Sequence, residues 1–176
     1  MKTILNLTSA LSALCLASFA QAQTPLAASA PAAAPQAAAR GPSLDLAIEA
    51  AKFAVETCVA RDQKVGVSVL DAAGIPKVVL AGDGTSPRGV QSSTGKASTA
   101  LAFKQATSRL AEQSKTDKDL ADKLAANTAY NARAGGVLLK VNDEIIGAIG
   151  VGGARGSEND EACALAGLQR IQARLK

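Results

Sequence analysis

The chain has 176 residues, enough for one domain and some additional length, and carries a formal charge of +4. So mild a charge, with aromatic residues at 2%, argues against a nucleic-acid surface of basic clusters and stacking rings. The absence of histidine excludes a Ser-His-Asp triad and a histidine-ligated metal centre.

Lys2 opens a short basic region, and Ile4 to Phe19 is apolar but interrupted by polar residues. Ala20-Gln21-Ala22 then gives the small-x-small pattern of a signal-peptidase site, so residues 1–22 are expected to be a secretory signal. The run is too short and too polar for a membrane span. Export places the protein in the periplasm or outside the cell, with no membrane span in the mature chain. Residues 23–42 are almost entirely Ala, Pro, Gln and Ser, a composition that cannot offset its ordering entropy, and are read as a disordered tether. The folded domain is then 43–176. Losing Lys2 with the signal lowers the charge from +4 to +3. The mature chain keeps Cys58 and Cys163, which are either one disulfide or two small buried residues on helices; the second is favoured.

Ser43 is a plausible helix cap, and Leu44, Ile48, Ala51, Val55 and Val59 recur at helical spacing, giving a helix over about 44–61. Val65, Val67 and Val69 alternate with small residues as a strand. Asp71 to Gly74 turns the chain into a second strand, 75–81, and Pro76 at its start suits a sheet edge. Residues 82–89 read as a loop and 92–114 as one long helix. A shorter helix follows over 117–126, with Asp117, Asp119 and Asp122 on a solvated face. Strands 136–141 and 145–151 are joined through Asn142-Asp143-Glu144. The second has Ile145, Gly147, Ile149 and Val151 on one face and Ile146, Ala148 and Gly150 on the other. Such a strand is covered on both sides, or covered on one and docked to a partner on the other. Ser157 caps a final helix running to about Leu175, with Leu165, Leu168, Ile171 and Leu175 as its stripe. The order α-β-β-α-α-β-β-α predicts an α+β fold, an antiparallel sheet of two hairpins flanked by helices.

Two motifs invite ligands. The loop 150–156 lacks the G-x-G-x-x-G spacing, and its helix starts with Glu158, Asp160 and Glu161, which would repel a phosphate. It reads as a tight turn, with a carboxylate held by backbone amides and Arg155 as the functional alternative. Gly95-Lys96 fails as a P-loop because Val90 and Ala97 stand where a glycine and a hydroxyl are required. Lys96 among Thr94, Ser98 and Thr99 is a partly buried lysine that could pair with an anionic ligand. Nothing in the residues demands catalysis.

From Leu44 onward the sequence resembles the GlcG/HbpS family of haem-binding proteins. The resemblance rests on VGVSVLDAAG (65–74), Asp83-Gly84, TGKASTALAF (94–103), AGGVLLKVNDEIIGAIGVGGA (134–154) and the segment Asp160 to Ala164. It implies a profilin-like α+β domain that forms a homo-oligomer and, in the exported branch, binds haem for iron or redox sensing. Lys96 and Arg155 would then meet the haem propionates. Thr94, Thr99 or Tyr130 would lie near the iron, for which hydroxyl, phenol or thiolate ligands remain in a chain without histidine. Two other readings use the same residues: a binding module for a small carboxylate such as glycolate, and a non-catalytic signalling oligomer whose glycine-rich strand face, around Ala148, is an interface.

Overall fold

A computed structural model describes residues 38–176. The expected signal, and the expected tether up to residue 37, lie outside the described residues. Residues 38–42 lie against the domain: the Ala72 amide donates to the Arg40 carbonyl, Arg40 pairs with Glu144, and Pro42 is buried. The folded part therefore starts a few residues ahead of Ser43.

The elements are α1 (Leu44–Val59), β1 (Gly66–Asp71), β2 (Pro76–Ala81), α2 (Pro87–Phe103), α3 (Thr107–Gln113), α4 (Lys118–Ala125), β3 (Gly136–Val141), β4 (Glu144–Gly152) and α5 (Ser157–Ile171). A 3-10 turn over Gln172–Arg174 follows. The four strands form one antiparallel sheet in the order β2-β1-β4-β3, with Pro76 on the outer strand β2 as expected. The fold is the expected α+β arrangement of two hairpins flanked by helices. No helix among the described residues is long and apolar enough to cross a membrane.

The sheet is covered on both faces. Val67, Val69, Val137, Leu139, Ile149 and Val151 pack against α1 and α5, while Leu70 and Ala148 pack against Ala97 and Ala100 of α2. Ala148 is fully buried, so the glycine-rich face proposed as a partner interface is already occupied by α2 of the same chain. Its glycines serve that contact. A Cβ at Gly150 would lie 2.1 Å from the Ser93 carbonyl oxygen, and one at Gly136 would lie 2.3 Å from that of Lys96. Ile146 departs from the expected alternation and joins the α1/α5 core. It is the extra residue where pairing passes from Leu139↔Gly147 to Lys140↔Ile145, a β-bulge.

Four further expectations are corrected. In α1 the buried face is Ala47, Ala50, Ala51, Ala54 and Cys58, whereas Leu44, Ile48 and Val59 point outward. Close approach of α5 selects the small residues, since a Cβ at Gly167 would stand 2.6 Å from the Ala50 carbonyl oxygen. On α5, Leu165 is likewise exposed, and the buried positions are Asp160, Cys163, Ala164, Gly167 and Ile171. The long pattern 92–114 is two helices, because Lys104 adopts a left-handed conformation (φ 54°) and ends α2. Finally, α2 begins at Pro87, inside the expected loop: Pro at the first position and the Ser86 side chain, accepting from the Gly89 amide, form its cap.

Cys58 and Cys163 are both on helices and both buried, but they are not separate thiols: a disulfide joins α1 to α5.

Candidate functional site

The site forms where α2 crosses the sheet below the turn from β4 to α5. Lys96 sits mid-helix on α2 and is 1% exposed. Its Nζ donates to Asp160 Oδ2 at 2.6 Å, and Asp160 Oδ1 accepts from the Ala154 amide at 3.0 Å. Asp160 is thus tied to α5, to the glycine turn and to α2 at once. Gly135 makes the room: a Cβ there would stand 2.9 Å from Lys96 Nζ and 2.8 Å from Asp160 Cβ. Burial pushes the Lys96 amine below its ordinary pKa; Asp160 opposes this and Arg133 adds to it. Burial pushes the Asp160 carboxyl upward, opposed by Lys96 and by the Ala154 amide.

The pair borders a cavity of about 480 Å³, shaped at its rim by Arg88, Arg133, Ser92 and Glu158. A smaller one, about 260 Å³, shares Arg88, Ser92 and Arg133 and is lined further by Tyr130 and Asn131. Arg88 and Arg133 are exposed and pair with no carboxylate among the described residues. With Lys96 and Asp160 matched to each other, the rim charge is two guanidiniums against Glu158. That is an anion-receiving surface.

The expected site residues divide. Lys96 and Tyr130 line the two neighbouring cavities, and Tyr130 packs edge-on against Phe103. The Thr94 hydroxyl lies 2.8 Å from that of Ser68 and 3.5 Å from the Val90 carbonyl. Thr99 is fully buried, donates to the Gly95 carbonyl and accepts from the Asn131 amide. Arg155 lines a separate depression, where it pairs with Asp62 at 2.9 Å. Two of the loop amides considered for a carboxylate are engaged within the chain: that of Ala154 by Asp160 and that of Arg155 by Gln63. Ser157 opens α5 without a side-chain cap bond.

Arg88, Arg133 and Asp160 were not singled out as ligand residues from sequence. Asp160 was legible as an acid near a helix start, but its partner is 64 residues away. No local spacing marks either arginine.

Residues 43–169 match the family described as haem degrading protein HbpS-like. A crystal structure of a double mutant of HbpS from Streptomyces reticuli is 31% identical, with 85% of this chain and 97% of that chain covered and a TM-score of 0.67. Klebsiella pneumoniae protein ORFY is 23% identical over 81% and 97% of the two chains, with a TM-score of 0.71. A PduOC:heme complex is 24% identical over 74% and 95%, with a TM-score of 0.67. At those identities the last two show the fold alone. No curated protein matches.

Proposed function

The chain belongs to the HbpS-like family, and on that premise we propose that it is an exported haem-binding protein. One observation carries the reading: Arg88 and Arg133, which pair with no carboxylate among the described residues, stand on the wall shared by the Lys96 and Tyr130 cavities. Two guanidiniums suit the two propionates of a haem. The donor set is compatible with ferric iron through oxygen. Both cysteines of the described residues are in the disulfide and the chain has no histidine, so an iron ligand would be an oxygen donor, and the phenol of Tyr130, which lines the smaller cavity beside Ser92 and Thr128, is the one we assign. Bound haem would supply an iron able to change oxidation state. The chain's own part is to hold the carboxylates at Arg88 and Arg133, with Lys96 and Asp160 fixing the floor beneath them.

Haemin titration tests this. A saturable Soret shift at micromolar haem is expected, weakened in Arg88→Ala and Arg133→Ala and altered in band position in Tyr130→Phe. No saturable shift in the unmodified protein would overturn it. Export and self-association are part of the same proposal. The outward Leu44, Ile48 and Val59 of α1 and Leu165 of α5 supply apolar surface for a second copy. N-terminal sequencing of secreted protein and a native mass measurement check the two.

A second reading, a binding module for a small carboxylate, is favoured by the polar lining of the Lys96 cavity, where Ser86, Ser92 and Ser157 accompany the arginines. Glycolate should then raise the melting temperature, since a ligand of the native state stabilises it.

A further inference from the structure

Among the described residues, Lys96 is the largest side chain fully withdrawn from solvent. Its amine makes one hydrogen bond, to Asp160, while the group borders the floor of an open cavity. An ammonium has three donors, so two directions of Nζ have no acceptor among the described residues. A lysine whose purpose was only to fill the core would be expected to have them met. Gly135 keeps backbone and amine close together at this point, and Gly136 lets the start of β3 lie against the Lys96 carbonyl, where any side chain would intrude.

We propose that Lys96 is a covalent binding residue, condensing with the carbonyl of a small 2-oxo carboxylate held by Arg88 and Arg133. The inference rests on the small-carboxylate reading of the cleft and is independent of haem. The balance of the step is closed by the pair itself. The neutral amine attacks the carbonyl carbon, forming the C–N bond, and a nitrogen proton passes through Asp160 to the carbonyl oxygen. The carbinolamine then loses its hydroxyl as water, taking the proton of the Asp160 carboxyl. The products are an iminium at Lys96, a carboxylate at Asp160 and one water. The new cation keeps the anionic partner that the ammonium had. The neutral amine arises within the ion pair when the Lys96 ammonium passes one proton to the Asp160 carboxylate 2.6 Å away, a transfer that burial of both groups favours and their mutual attraction opposes.

The test is reductive trapping of the full chain with limiting glyoxylate and borohydride at neutral pH, followed by peptide mass mapping. The expected result is one carboxymethyl group on Lys96 ahead of exposed lysines such as Lys64 and Lys104, lost in Lys96→Arg. Because Lys96→Arg alters a buried position, the double variant Arg88→Gln/Arg133→Gln, which changes only exposed side chains, should also lose the adduct while keeping the native circular dichroism. Label spread over exposed lysines with Lys96 bare overturns the proposal. Thermal shifts with glycolate and glyoxylate separate the two levels. Shifts from both acids without an adduct leave the small-carboxylate reading standing and remove the covalent step. No shift from either acid together with no adduct removes both.

Discussion

Lys96 Nζ and Asp160 Oδ2 stand 2.6 Å apart although 64 residues of chain separate them, and both side chains are almost wholly buried. The contact ties α2 on one face of the sheet to the start of α5. It also puts the protein's one buried ion pair, among the described residues, at the floor of its cationic cleft.

Removing one member of this pair should cost far more than removing both. Lys96→Met leaves a buried carboxylate without its partner, and a loss of about 3–5 kcal/mol is expected. Lys96→Met/Asp160→Asn removes the charges while keeping an oxygen for the Ala154 amide, and should recover much of it. Urea denaturation of the single and double variants measures this; equal losses would contradict the account.

The Cys58–Cys163 disulfide closes a long loop and holds an α1–α5 contact made mostly of alanines. Removing it should cost about 2–5 kcal/mol. Cys58→Ala/Cys163→Ala avoids a buried hydroxyl, and its denaturation midpoint should match that of the reduced protein. Thiol titration of the unfolded chain from residue 23 onward should find no thiol before reduction and two after it.

Substitutions on the sheet face beneath α2 should disturb folding, not assembly. Gly150→Ala would bring a methyl group against the Ser93 carbonyl, with an expected loss of about 1–3 kcal/mol from overpacking. Ala148→Asp should unfold the domain, because the carboxylate would be buried with no partner. A folded Ala148→Asp protein of reduced native mass would show instead that this face is an interface.

Glu49 gives an acid-side dependence of stability. The hydrogen bond from Arg174 lowers its pKa most, burial opposes, and Arg170 adds a further lowering contribution. A folded pKa below the unfolded value of about 4.5 means that the contribution is present above that pH. It is lost as pH falls through the folded value. Glu49→Gln should therefore be less stable than the unmodified protein near neutrality, and the difference should vanish in acid. A difference that grew on acidification would refute the assignment. The effect should be small, since the pair is at the surface and screened.

The two hairpins, the helices that flank them and the family were legible in the sequence, and the break at Lys104 that makes three helices of the expected two between the hairpins was not. Alternation in Val65-Val67-Val69, the acidic turns and the Ser43 cap are local signals, and local backbone preference reads them directly. It did not determine which face of α1 is buried. Helical periodicity marks large apolar residues, whereas a helix pressed close to its neighbour buries alanine and glycine, as Ala50 and Gly167 do. The long-range partners emerge only on folding: Asp160 for Lys96, Cys163 for Cys58, α2 for Gly150, and Arg88 with Arg133 on one wall. The first three are contacts between residues about 53 to 105 positions apart, and the two arginines, 45 positions apart, line one cavity. The contacts draw their free energy from burial, charge pairing and the disulfide between elements packed on the sheet, which no local stretch of the chain encodes.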